Sequence, residues 1–312
     1  MDNKTRKGKH LGTKPTYMQR MMKNHTAIIG LIITLSLVFV AILAPWIAPY
    51  DPVDAELPDR LSPPQLITCL TNLLGFQGGN HPRQTGGRVY LLGADEQGRD
   101  ILSRLIYGSR TSLRVGVVAV SIALVAGLVL GTCSGYYGGR LDTIIMRAMD
   151  ILLAFPAIVL AIAIMTIFEK PSINNAMIAI GIVNIPRYAR VVRGAVLSTK
   201  QNEYVEAVKA LGASNLRIIF KHVLPNCLAP IIVYSTLGVA TAILEAAALS
   251  FLGLGSQPPT PDWGAMLADG REYLMEAWHV STFPGIAIVV TVLGFNMLGD
   301  GLRDVMDPHL KY

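Results

Sequence analysis

The chain has 312 residues, of which 52% are hydrophobic and only 15% charged, with a mean hydropathy of +0.45. Soluble domains carry roughly 25% charged residues, so this composition excludes a water-soluble globule and points to a membrane protein. The formal charge of +6 is explained by basic cytoplasmic loops and gives no reason to expect a nucleic-acid partner.

Residues 1–25 form a basic tail, with Lys4, Arg6, Lys7, Lys9, Lys14, Arg20 and Lys23 against the single acid Asp2. Thr26–Ala44 then runs for nineteen residues without a charge, about 28 Å of helix and one hydrocarbon core. A cleaved signal peptide shows the same basic-then-apolar pattern, but its apolar part is only about 7–15 residues long. The longer run here ends at Pro45-Trp46, a helix stop beside an interfacial aromatic, so residues 26–45 read as an uncleaved first span. Residues 46–112 form an external segment whose first part is rich in Pro and Gly and reads as loop. Near its end Ile101, Leu102, Leu105 and Ile106 make a stripe opposite Arg104, which predicts a short amphipathic helix on the membrane surface.

Residues 113–303 form the membrane core. Five further spans are predicted at Val115–Cys133, Ile151–Phe168 with Pro156 inside it, Ser172–Val192, Leu228–Phe251 and Phe283–Leu302. Residues 304–312 are a short tail. The fold class is therefore an all-α polytopic membrane protein with six transmembrane helices. With both ends in the cytoplasm, 18 Lys and Arg fall inside and 9 outside, so the positive-inside rule selects N-in and C-in.

The second span repeats a small residue at every fourth position, Ala119, Ala123, Gly127, Gly131 and Gly135. Residues four apart share a helix face, and a smooth face admits the backbone of another helix. The ladder predicts close packing within the bundle or against a partner subunit. Ordinary small residues of a membrane helix are the plainer alternative. Glu245 is the only acid deep in a strongly apolar span. An intramembrane charge is a functional candidate by default, here for a pore, with Asn184 a weaker companion. A structural partnership with a polar group on a neighbouring helix is the competing explanation.

Three scattered cysteines and six scattered histidines offer no metal-ligand spacing, and no convergent set of groups suggests catalysis. No G-x-x-x-x-G-K-[ST] phosphate loop occurs, so no cofactor is assigned to this chain.

The charged cytoplasmic segment 200–225 reads as two short helices around Gly212, which can take the positive φ that ends the first. Ser214 or Asn215 can cap the second, and Pro225 is expected to stop the helical run before the next span. Val205, Ala207 and Val208 lie among Glu203, Glu206 and Lys209. That mixture suits docking in a groove on another protein, and equally a solvated connection.

The segment resembles the EAA loop of permease subunits in binding-protein-dependent ABC importers: Glu-Ala-Ala, three residues, Gly, nine residues, Ile-x-Leu-Pro. Glu206, Ala207, Gly212, Leu224 and Pro225 fall on that spacing, while Val208 and His222 depart from it. The His-Val-Leu-Pro-Asn form is similar to the peptide-type variant. Leu92–Arg104, Gly135–Gly139, Met146–Asp150, Ala154–Pro156, Leu249–Gly255, Gln257–Gly264 and Leu298–Asp304 resemble further stretches of the same group. Residues about 65–90 look like an insertion relative to it.

The resemblance implies a multi-pass subunit of the bacterial inner membrane, built for di- or oligopeptide import. Glutathione, nickel chelates and other small solutes are carried by similar importers. It implies a second homologous permease, two ATP-binding subunits carrying ATP and Mg, and an external solute-binding protein, with Glu203 and the motif residues facing the ATPase. An ion-coupled secondary transporter would usually show repeated halves and several intramembrane ionisable groups, neither of which is visible here.

Overall fold

A computed structural model describes residue 21, residues 24–66 and residues 88–306. The basic tail apart from Met21, Asn24 and His25, most of the 65–90 insertion and residues 307–312 lie outside the described residues. Among the described residues, besides the one-turn helix Ala44–Ile47 that follows the first span, the main helices are α1 (His25–Ile42), α2 (Ile101–Tyr137), α3 (Gly139–Leu153), α4 (Ala157–Met165), α5 (Ile173–Lys200), α6 (Glu203–Ala210), α7 (Asn215–Ile218), α8 (Leu224–Phe251), α9 (Trp263–Gly270) and α10 (His279–Met306). Among the described residues, four continuous helical stretches are long and apolar enough to cross a membrane: α1, α2, the run Asn215–Phe251 and α10. The bent pair α3–α4 makes a fifth when taken as one span, and the more polar 28-residue α5 has the length of a sixth.

Three boundaries differ from the sequence expectation. The amphipathic stretch from Ile101 is the first part of α2, a single helix of 37 residues. Arg104 is buried, because its guanidinium donates to the Pro52 carbonyl at 3.2 Å and lies 3.5 Å from Asp95. The expected straight span Ile151–Phe168 is replaced by a 90° bend between α3 and α4. Pro156, extended at φ −57° and ψ 131°, has no N–H to donate and disfavours helix at the residue before it. Pro225 stops nothing. It sits in the first turn of α8, where its missing N–H costs little, and α7 runs into α8 through a π-helical turn at Ile219–Val223. The Asn226 amide donates to the His222 carbonyl at 2.7 Å, satisfying an acceptor in that widened turn.

The centre of the molecule is the packing of α2 against α5, its most extensive helix pair. A Cβ on Gly127 would collide with Tyr188, and one on Gly131 would lie 2.5 Å from the Ala189 carbonyl oxygen. The small-residue ladder therefore packs inside this chain, where α5 approaches α2 backbone to backbone. Ala119, Ala123, Gly127 and Gly131 are all buried there. On the other side α1 packs along α10, and the Asn24 amide donates to Asp304 at 3.0 Å. The start of α1 and the end of α10 thus lie at the same end of the bundle.

The opposite end is closed by a polar turn at Ala94–Asp100. Asp95 accepts from the backbone N–H groups of Gln97 and Arg99 at 2.9 Å each, and from the Arg99 guanidinium at 2.6 Å. Asp100 caps α2 through the Ser103 N–H at 2.8 Å. The Trp263 indole of α9 donates to the Leu105 carbonyl at 3.0 Å, holding the α8–α10 connection against the start of α2.

Candidate docking segment and intramembrane polar cluster

The segment Glu203–Pro225 is a helical hairpin laid across the ends of α2 and α5. Gly212 has φ +80°. Its N–H donates to the Lys209 carbonyl at 3.0 Å, and the Ala213 N–H to Val208 at 3.3 Å. That pair of bonds is the Schellman ending of α6, which needs a residue comfortable in the left-handed region at the Gly212 position. Ser214 stands at the N-cap of α7 without a side-chain cap bond. Asn215 instead accepts from the Tyr136 hydroxyl at 2.9 Å.

One face of the hairpin is anchored. Val205, Ile218, Ile219 and Val223 are buried against Val192, Val196 and Tyr136 at the ends of α5 and α2. The Lys200 ammonium donates to the Tyr136 carbonyl at 2.6 Å, and the Tyr204 hydroxyl to the His222 carbonyl at 3.2 Å. The first ties the ends of α5 and α2 together beside the hairpin, and the second joins the hairpin's two halves. The anchoring role of Tyr136 and Lys200 was not readable in the sequence, because each acts on a partner far along the chain.

The other face is open. Leu211 is 87% exposed, Phe220 68% and Leu216 64%, among exposed Glu203, Glu206, Lys209, Arg217 and Lys221. The charges place this surface in water, and large apolar groups gathered in water mark a protein interface. Glu203 and Glu206 both lie in the first turn of α6, where acids also favour the helix dipole. Ala207 and Pro225 are exposed, and Leu224 is partly buried.

The two intramembrane candidates meet. The Asn184 amide of α5 donates to Glu245 Oε2 of α8 at 2.7 Å. Arg187, one turn further along α5, donates to Asn184 Oδ1 at 3.1 Å and lies 3.7 Å from Glu245 Oε1. Arg187 belongs to the basic run that the positive-inside count places in the cytoplasm, so its charge alone does not single it out. Its spacing of three residues from Asn184 was the available signal. A cavity of about 60 Å³ beside the cluster is lined by Asn184, Arg187, Tyr188, Tyr234 and Thr241. A second, of about 330 Å³, shares Tyr234 and continues past Val191 and Pro230 to Arg303.

With this geometry in view, the chain was compared with known proteins. Residues 123–312 match the family model described as binding-protein-dependent transport system inner membrane component, and residues 16–64 match the N-terminal TM domain of oligopeptide transport permease C. The chain is 46% identical over 295 residues to the di/tripeptide transport system permease protein DppC of Pseudomonas aeruginosa strain UCBPP-PA14, covering 95% of this chain and 92% of that one. It is 47% identical over 289 residues to the dipeptide transport system permease protein DppC of Escherichia coli K12, covering 93% and 91% respectively. Among solved structures, an inward-facing form of the MetNI methionine ABC transporter aligns with a TM-score of 0.56 at 20% identity, covering 66% of this chain and 98% of that chain. An amino acid ABC transporter aligns with a TM-score of 0.53 at 15% identity, covering 65% of this chain and 94% of that one. At these identities the structural likeness speaks for the fold.

Proposed function

This chain belongs to the family of binding-protein-dependent transport system inner membrane components, and on that premise we propose that Glu203–Pro225 docks on an ATP-binding subunit and drives the import of small peptides. The observation that carries the docking role is the two-sided hairpin. Its inner face is fixed to α2 and α5 by buried Val205, Ile218 and Val223, while Leu211, Leu216 and Phe220 face water. A partner gripping the outer face moves the ends of two central helices with it. Closure of the ATP-binding subunits then biases the bundle between inward-open and outward-open forms.

In this reading two ATP-binding subunits hold ATP and Mg, and the chain itself catalyses nothing, in keeping with its lack of a phosphate loop. A second homologous permease completes the channel, lipid surrounds it, and an external solute-binding protein delivers the cargo. Peptide cargo is supported by the di/tripeptide and dipeptide permeases at 46% and 47% identity. Glu245 and Asn184 line the path on the α5–α8 face.

The test is co-assembly. Leu211→Asp with Phe220→Asp alters only exposed side chains, so the permease is expected to insert and stay folded. Capture of the ATP-binding subunit and ATPase activity stimulated by the binding protein are expected to disappear. Normal capture by a folded double variant overturns the docking role.

A further inference from the structure

The polar cluster on α5 and α8 carries a more specific reading, which rests on the peptide cargo above. Asn184 and Arg187 of α5 and Tyr234 and Thr241 of α8 line the small cavity, and Glu245, one turn beyond Thr241 on α8, joins this polar groove through Asn184 and Arg187. The Arg187 side chain is 39% exposed and that of Glu245 19%. Charges facing hydrocarbon are expensive. Elsewhere the bundle exposes Val117, Val125 and Val129 of α2, as a lipid-facing surface should. The polar groove therefore faces water or protein. Glu245 lies six residues from the end of α8, roughly 9 Å along the helix. This puts the cluster in the outer half of the bundle, above the 330 Å³ cavity that reaches Arg303.

The two Glu245 oxygens are treated differently. Oε2 is held by the Asn184 amide at 2.7 Å. Oε1 faces Arg187 at 3.7 Å, beyond hydrogen-bond length, and among the described residues no donor bonds it. Asn184 thus orients the carboxylate and leaves one oxygen open to a cation. Arg187 is balanced between Asn184 and Glu245 and can withdraw without leaving the carboxylate unsupported.

We propose that Glu245 Oε1 is a cargo-recognition point in the outer half of the translocation path, receiving the N-terminal ammonium of a peptide as it displaces Arg187. The exchange is non-covalent: one cation leaves the carboxylate and another takes its place. In the absence of cargo the Arg187–Glu245 pair closes the groove. Arg187 is then a gating residue and Asn184 a positioning residue.

The test uses the whole importer in proteoliposomes, with ATP, its solute-binding protein and radiolabelled dialanine, and reads peptide taken up per ATP hydrolysed. Glu245→Gln keeps the Asn184 contact and removes the charge. It is expected to lower that ratio about tenfold or more, the order supplied by one charge-assisted contact, while stimulated ATPase activity persists. Glu245→Asp is expected to recover a substantial part, and Arg187→Gln, which removes the competing cation, to lower the dialanine concentration at which uptake is half-maximal. An unchanged ratio in Glu245→Gln overturns the proposal. So does an equal loss in all three variants accompanied by a fall in melting temperature, which is the signature of a purely structural pair. A wild-type importer that hydrolyses ATP but carries no dipeptide refutes the peptide reading itself, and this inference with it.

Discussion

Replacing Gly212 tests the coupling geometry through backbone energy alone. A Cβ built there meets nothing within 4 Å, so no steric clash in the folded chain complicates the result. What changes is the cost of holding φ at +80°. For an ordinary L-residue the left-handed region costs roughly 1–2 kcal/mol, and it is a genuine outlier for a β-branched one. That is small beside the 5–15 kcal/mol or so that stabilises a typical folded protein, so Gly212→Ala and Gly212→Val are expected to insert and fold. The Schellman ending shifts, however, and the docking face loses its shape. At about 1.4 kcal/mol per tenfold, Gly212→Ala is expected to weaken association with the ATP-binding subunit roughly 5- to 30-fold. Gly212→Val is expected to abolish transport and stimulated ATPase activity. Gly212→Asn, which tolerates this region, is expected to stay closest to wild type. The assay is titration of the ATP-binding subunit onto nanodisc-embedded permease, with ATPase activity read in parallel. Wild-type behaviour of Gly212→Val, or equal damage from Asn and Val, refutes the argument.

Three further outcomes follow from the packing and the external turn. Gly127→Ala and Gly131→Ala force α5 away from α2 and are expected to cost about 1–3 kcal/mol each. Gly194→Ala, in the interior of α5 with open space around its Cβ, is expected to be neutral to stabilising by up to about 1 kcal/mol, and melting temperatures in detergent separate the two cases. Arg99→Ala removes the 2.6 Å partner of buried Asp95, which keeps Arg104 at 3.5 Å and two backbone N–H donors, and is expected to destabilise by about 1–3 kcal/mol, whereas an Asp95→Asn, Arg99→Met double variant is expected to lose less. Burial raises the carboxyls of Asp262 and Asp269 above their ordinary value, so the native state binds protons more tightly than the unfolded one. Their contribution is full below the ordinary carboxylate range and is lost as pH rises through the raised values. Asp262→Asn, which keeps an acceptor for the Ala265 N–H, is expected to flatten the fall in melting temperature with rising pH over that window.

The fold was legible wherever one physical signal dominated. Charge-free runs located the long apolar helices, because hydrocarbon excludes charge whatever the neighbours are. Gly212 was readable because its φ is a local demand, and the ladder from Ala119 to Gly131 because close approach requires small residues at fixed spacing. What the ladder could not reveal was its partner, which the fold places within the chain on α5. The misreadings share a cause. Arg104 was assigned to a wet face since its acceptors, Asp95 and the Pro52 carbonyl, lie on other segments. Pro156 and Pro225 carry the same local restriction, yet one breaks a span at 90° and the other starts a helix, because a π turn upstream absorbs the irregularity. The intramembrane cluster was half visible. Glu245 and Asn184 stood out as polar groups in apolar runs, whereas Arg187 was hidden among cytoplasmic bases that share its helix.

The proposed coupling requires that the outer face of Glu203–Pro225 touch the ATP-binding subunit. The most direct measurement is site-specific cross-linking from a single cysteine at position 211, with Cys69, Cys133 and Cys227 replaced by Ser, in the assembled importer. Leu211→Cys is expected to cross-link to the ATP-binding subunit with an efficiency that changes when ATP is added, and Val117→Cys on α2 is expected to give none. An assembled, ATP-hydrolysing importer in which position 211 reacts freely with a soluble maleimide and never cross-links would contradict the account.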